Sequence, residues 1–245
     1  MTNNMLSWGK EIWENKITRQ NETGVIFGLG FTSAEINKQT IYAMHRFRDD
    51  VLPLIKPRGK ILDVGVGPMA RYSIEFAKHG YSVVGLDISK TTLKHASKYI
   101  RKAKLDDIKL KRADMVSFVD KQKYDFLFCI GSFYHIPAHL GIFTLRNFNK
   151  MLTKNGYALI EFNVIKRERK LKEIAFELIY HTLFKATRNI FKRKALAPCI
   201  AGYTEDELQD MLRRTSFKLE KKLDYNKFRL NNIWLLKKMK GVDKL

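Results

Sequence analysis

The sequence predicts an α/β fold, a mostly parallel sheet of seven strands with helices on both faces and an antiparallel edge at its C-terminal end. Three observations predict it. Residues 59–163 alternate short apolar runs with amphipathic stretches in one regular rhythm, the pattern of a parallel sheet whose strands are joined by helices. The run "FLFCI" (126–130) is apolar without alternation, as a strand covered on both faces requires. A last pair, "FKLEKKLDY" and "NIWLLKKM", stands outside the rhythm and suits an antiparallel edge.

Taken in order, residues 1–58 read as an N-terminal helical cap. They hold Trp8, Trp13 and a helix through "SAEINKQTIYAMHRFRDDVLPLI", closed by Pro53 and Pro57. "GVIFGLGFTS" (24–33) is a second glycine-rich stretch, but no strand-to-helix unit frames it, so it reads as a flexible lid segment. The α/β domain spans 59–245. Its strands read as "KILDVG" (60–65), "YSVVGLDI" (81–88), "IKLKRAD" (108–114), "YDFLFCIG" (124–131) and "GYALIEFNV" (156–164). The intervening stretches carry apolar residues at helical spacing, with glycine stops expected at Gly80 and Gly156. Residues 165–202 interrupt the domain with a basic, amphipathic helical insertion that ends at Pro198 and Gly202. Thr204 then reads as an N-cap with Glu207 at the capping-box position.

The 245 residues are 45% hydrophobic, enough for a substantial core. The apolar runs break well before the roughly 20 residues of a membrane span, and no signal-peptide core precedes "WGKEIWENK"; a cytoplasmic protein, in places peripheral at a membrane, is expected. Two cysteines, Cys129 and Cys199, make neither a disulfide framework nor a metal cluster. The formal charge of +21 fits either attraction to polyanions or a generally basic, lysine-rich proteome. It concentrates partly in "KRERKLK" and "FKRK" of the insertion.

The chemistry begins at "KILDVGVGPMARYS" (60–73), a strand, a glycine turn and a helix. Gly65, Gly67 and Ala70 satisfy a loose dinucleotide pattern. Asp63 argues against that class, because a carboxylate beside a pyrophosphate repels it. S-adenosylmethionine carries no phosphate and brings a sulfonium and an ammonium, so Asp63 becomes an attractive partner, directly or through water. Asp87 lies about twenty residues beyond the glycines, where a carboxylate accepts both ribose hydroxyls. Asp114 can accept from the adenine amino group, with Met115 and Ile88 covering the ring faces. Val66 sits between the glycines, and Ile130, Gly131 and Ser132 open the fourth strand at the edge where ligands of open α/β sheets bind.

On these residues the chain resembles the class I S-adenosylmethionine-dependent methyltransferases. "ILDVGVGPMARYS", "GLDIS", "RADM", "YDFLFCIGSFYHI" and "MLTKNGYALIEF" look like the segments around their first five strands, and within them the group of small-molecule and quinone methyltransferases is the nearest likeness. The resemblance implies a Rossmann-like sheet and a cofactor site at Asp63, Gly65, Val66, Gly67, Asp87, Ile88, Asp114, Met115, Ile130 and Gly131. The chain departs from the family pattern at Met69, which stands at the third glycine position; Pro68 is expected to fix the turn there and open the helix at its first position.

Tyr134 and His135 fall where an acceptor would meet the methyl group. A histidine titrates near neutrality and can deprotonate a hydroxyl, although packing or gating is the other reading of both. The insertion reads as a substrate lid, as a membrane-surface helix or as an RNA clamp. The expected function is methyl transfer to a small or lipid-like acceptor. Its alternatives are a tRNA or rRNA methyltransferase and a non-catalytic cofactor-binding regulatory protein. The acceptor atom and the oligomeric state are not legible in the sequence.

Overall fold

The computed structural model describes residues 33–166, 201–225 and 230–239. The expectations for Trp8, Trp13, "GVIFGLGFTS" and nearly all of the insertion lie outside the described residues. Helix α1 (Ser33–Asp50) runs into a 3-10 turn, Leu52–Leu54, where Pro53 ends it. Then follow β1 (Lys60–Val64), α2 (Arg71–Lys78), β2 (Ser82–Asp87), α3 (Lys90–Lys102), β3 (Ile108–Arg112), β4 (Tyr124–Cys129), α4 (Gly141–Met151), β5 (Leu152–Glu161), α5 (Glu205–Arg214), β6 (Phe217–Tyr225) and β7 (Leu230–Lys238).

The seven strands lie in the order β3-β2-β1-β4-β5-β7-β6. The first five are parallel, while β7 enters antiparallel between β5 and β6. The alternation of the strands divides the core into two layers. Ile61, Val83, Phe126 and Phe128 face α1, α2 and α3, where Phe47, Phe76 and Ile100 meet them. Leu62, Val84, Leu127 and Cys129 face the other way, toward Phe148 of α4 and Leu208 of α5. Helix α1 therefore packs into the sheet's own core through Ala43, Met44 and Phe47. Among the described residues no helix is long and apolar enough to cross a membrane.

Helix ends follow their local chemistry. The Thr204 hydroxyl accepts from Glu207 N, and the Glu207 carboxylate accepts from Thr204 N, a complete capping box. Gly80, at φ +83°, stops α2 as expected. Gly156 does not stop α4. That helix ends at Met151, because Leu152 already turns to extended geometry and pairs with Tyr124, so Gly156 lies inside β5 at an irregularity in its register.

Candidate functional site

The strand order brings the carboxyl ends of β3, β2, β1, β4 and β5 side by side, and nearly all the site residues expected from the sequence stand along that edge. At its centre is the glycine turn. Gly65 and Gly67 adopt φ of +74° and +69°, which side-chain-bearing residues seldom tolerate. Gly65 N and Val66 N donate to the Leu86 carbonyl at 2.8 and 3.0 Å, tying the turn to β2. A Cβ on Gly65 would lie 2.0 Å from Ser132 Oγ, so the turn closes directly on the loop after β4. Pro68 does not open the helix. Met69 is buried and Ala70 is left-handed at φ +46°, a conformation no helix contains, so α2 starts at Arg71.

On the β2 and β3 side, Asp87 accepts from Gly67 N at 3.3 Å through Oδ2 and from Ser89 N at 2.9 Å through Oδ1. It braces the glycine turn against the start of α3. Ile88 follows it, half-buried. Asp114 lies beyond its strand and not at the end of it. The last tie is Ala113 N to the Asp87 carbonyl, after which Asp114 Oδ1 accepts from Val116 N at 3.0 Å and bends the chain away. Its other oxygen, Oδ2, is buried without a hydrogen-bond partner. Burial holds the Asp114 carboxyl above the usual carboxylate range, against the pull of the Val116 N–H and Ser117. Met115 follows, packed against the core layer beneath α4 and α5.

On the β1, β4 and β5 side the acids are more deeply placed. Asp63 is 3% exposed and sits beneath the turn, with Ser73 Oγ donating to its Oδ2 at 2.6 Å. Desolvation pushes its carboxyl up to about 6, although Ser73 and Arg71 oppose this. Arg71 donates to Thr40 Oγ1 of α1 at 3.4 Å, and its guanidinium lies 4.6 Å from the centre of the Tyr72 ring. The Tyr72 hydroxyl is buried without a partner. Ile130 is buried, Gly131 has φ +72°, and Ser132 Oγ donates to the Gly65 carbonyl at 3.4 Å. Tyr134 and His135 share the 3-10 turn Phe133–His135, their rings 4.6 Å apart.

One residue of this edge escapes the sequence reading. Glu161 closes β5, and its Oε2 accepts from Gly131 N at 2.8 Å. Burial pushes its carboxyl up to about 7 against the Gly131 N–H and the Arg71 charge. The signal was the one that marks Asp63 and Asp87, an acid at a strand end. Extending the strand to Val164 hid it, since that places Glu161 in the strand interior. The structure ends the strand at Glu161 and leaves Val164 only an isolated parallel bridge to Tyr203.

That bridge defines the feet of the insertion. Ile165 N donates to the Tyr203 carbonyl at 2.9 Å, Tyr203 N to the Asn163 carbonyl at 3.0 Å, and Ala201 N to the Tyr134 carbonyl at 2.7 Å. The chain thus leaves the sheet and returns to it beside β5 and the Tyr134 turn.

The sheet order, the glycine turn and the row of strand-end acids define the class: an α/β domain of the methyltransferase type. The methyltransferase domain family matches residues 36–222, and the chain belongs to it. An uncharacterized protein of Methanocaldococcus jannaschii is 31% identical over 153 residues, 60% of this chain and 40% of that protein. One of Rickettsia prowazekii is 26% identical over half of each. The chain spans half or less of the length of these curated relatives. Among solved structures, magnesium protoporphyrin IX methyltransferase from Synechocystis with bound S-adenosylmethionine aligns with a TM-score of 0.64 at 16% identity, over 94% of this chain and 97% of that one. An S-adenosylmethionine-dependent methyltransferase from Clostridium acetobutylicum aligns at 0.60 and 11% identity, over 92% and 98%. These likenesses show the fold.

Proposed function

We propose that this chain transfers a methyl group from S-adenosylmethionine to a small or lipid-like acceptor held beside the feet of the insertion. The observation that carries the reading is Asp114 Oδ2, a buried carboxylate oxygen with no partner at the edge where ligands of open α/β sheets bind. A buried acceptor left open is costly unless a ligand fills it, and an adenine amino group is a donor of the right kind. The cradle fits the same ligand. Asp87 is an acceptor-only carboxylate at the end of β2, placed beside the glycine turn by Gly67 N and Ser89 N, and ribose hydroxyls are donors of the matching kind. Gly65 and Gly67 let the backbone approach without a Cβ, and Arg71 and Tyr72 stand beside the turn to receive a methionine carboxylate.

When bound, the cofactor supplies a methyl group on a good leaving group, so the protein's main task is alignment. The Asp87 anchor and the glycine turn fix the cofactor's position, while Tyr134, His135 and the feet of the insertion bound the space on the acceptor side. In calorimetry S-adenosylmethionine binds the wild-type protein, and Asp87→Ala weakens binding by about 1.5–3 kcal/mol, the range of a charge-assisted hydrogen bond. Unchanged affinity would remove the assignment.

An RNA acceptor is the second reading. The charge of +21 favours it, as does α3, whose thirteen residues include Lys94, Lys98, Arg101 and Lys102 and no acid. An RNA enzyme shows a steep fall of RNA affinity with salt; a flat salt response rules it out.

A further inference from the structure

Asp63, Asp87 and Asp114 have roles in the reading above, and Glu161 has none. Its geometry is specific. The side chain turns back across the end of β4, where Oε2 takes the Gly131 N–H, and among the described residues that is the one hydrogen bond its carboxylate receives. The residue itself is half-buried and closes β5 at the edge where ligands of open α/β sheets bind. On the far side of Gly131 stands Tyr134, whose hydroxyl would lie 3.9 Å from a Cβ built on that glycine. The groups whose charge is felt with Glu161 come from three elements: Arg71 and Tyr72 of α2, Tyr134 of the 3-10 turn and Cys129 of β4. Arg71 is the one cation among them.

Position along the edge gives this carboxylate its meaning. A cofactor with its adenine at Asp114, its ribose at Asp87 and its next atoms over the glycine turn crosses β3, β2 and β1 in turn. The strands that follow are β4 and β5. Continued in that direction, the cofactor's sulfur would fall near β4 and β5, whose ends carry Gly131 and Glu161 beside the feet of the insertion. Resting on the cofactor reading above, we propose that Glu161 faces the transferable methyl group and takes the acceptor's proton, so that the acceptor is an N–H or O–H nucleophile and not a carboxylate.

The step balances without any further reactant. A lone pair of the acceptor atom forms the bond to the methyl carbon as the carbon–sulfur bond breaks, and that bond's electron pair stays on sulfur, giving neutral S-adenosylhomocysteine. The N–H or O–H proton passes to Glu161 Oε1 and from there to water. A carboxylate acceptor has no proton to give and would bring a second negative charge against Glu161. A carboxyl pushed up to about 7 is a competent base at neutral pH.

Binding alone tests this, with three probes: S-adenosylmethionine, S-adenosylhomocysteine and sinefungin, the analogue that carries a CH–NH3+ group in place of the sulfonium and its methyl. In the wild-type protein sinefungin binds at least tenfold more tightly than S-adenosylhomocysteine, and the advantage is larger at pH 8 than at pH 6. Glu161→Gln abolishes the advantage and leaves S-adenosylhomocysteine affinity within twofold; Glu161→Asp, which keeps the charge, retains part of it. Equal weakening of all three ligands by Glu161→Gln, or no change in any, overturns the proposal. If the wild-type protein binds none of them, the cofactor reading itself fails. With methyl-tritiated cofactor and an Escherichia coli small-molecule extract, base-stable label in the products agrees with N- or O-methylation, whereas label released as methanol by mild base marks a methyl ester and overturns the acceptor class.

Discussion

The two halves of the sheet edge hold their acids in different ways. On the β2 and β3 side, Asp87 and Asp114 are half-exposed and held by backbone N–H groups, mostly of the loops that follow them. On the β1 and β5 side, Asp63 and Glu161 each depend on a donor from another element, Ser73 of α2 and Gly131 after β4, and both carboxyls are pushed up by burial. The first half is a recognition surface held by backbone N–H groups, with Asp114 Oδ2 as its one buried open acceptor among the described residues. In the second half the charge is costly in the empty protein and is relieved by a cation or a proton. A ligand that is neutral at one end and cationic at the other suits such an edge.

The sharpest way to break this contrast is at the turn that joins the halves. Gly65→Ala places a methyl group on Ser132 at a φ that an L residue resists, and urea unfolding should show a loss of about 2–4 kcal/mol together with the loss of cofactor binding. If the variant is as stable as the wild type, the turn does not lock the β4 loop.

Next comes the titration of the buried half. The folded value for Asp63, about 6, lies above its ordinary 3.8. Its contribution to stability is therefore whole below about pH 3.8 and is lost as the pH rises through 6. Asp63→Asn keeps an acceptor for Ser73 and has no charge to lose. Relative to wild type, the variant should gain on the order of 2–3 kcal/mol in unfolding free energy between pH 4 and pH 7.5, read from denaturant midpoints at each pH. A difference that stays constant with pH would show that Asp63 is not desolvated.

The smallest effect belongs to the recognition half. Asp114→Ala should cost about 1–2 kcal/mol of cofactor affinity, seen equally with S-adenosylmethionine and S-adenosylhomocysteine because the adenine is common to both. The same change removes Oδ1, which holds Val116 N, so the ligand-free protein should lose about 0.5–1.5 kcal/mol of unfolding free energy. Equal loss with both ligands here, against selective loss of the ammonium probe at Glu161, would separate the two halves by experiment.

The sheet was legible because its signals are local and repeated. Five strands recur at the right spacing, "FLFCI" marks β4 as central, and "YTEDE" carries the whole capping box of α5. The placing of Asp87 and Asp114 near the ends of β2 and β3 was legible for the same reason, since each is held in part by a backbone N–H two residues on, Ser89 and Val116. Boundaries failed where a distant partner decides them. Gly156 looks like a helix stop until Leu152 pairs with Tyr124, and Pro68 looks like a first helical residue until the buried Met69 and left-handed Ala70 delay the helix. Glu161 was missed because its hydrogen bond reaches thirty residues back to Gly131, a distance over which strand patterning carries no information.

The bridge between Val164 and Tyr203 bears on how such a protein changes its substrate. Because the chain departs and returns at one fastened point, whatever runs between the two feet is a closed loop in the polymer sense. The entropy of closing a loop grows only logarithmically, by about 0.6 kcal/mol for each doubling of its length. The residues between the two feet can therefore be lengthened, shortened or exchanged while the sheet, the glycine turn and the row of acids keep their places. Diversification of this fold would then proceed as the replacement of one cassette on a standing frame.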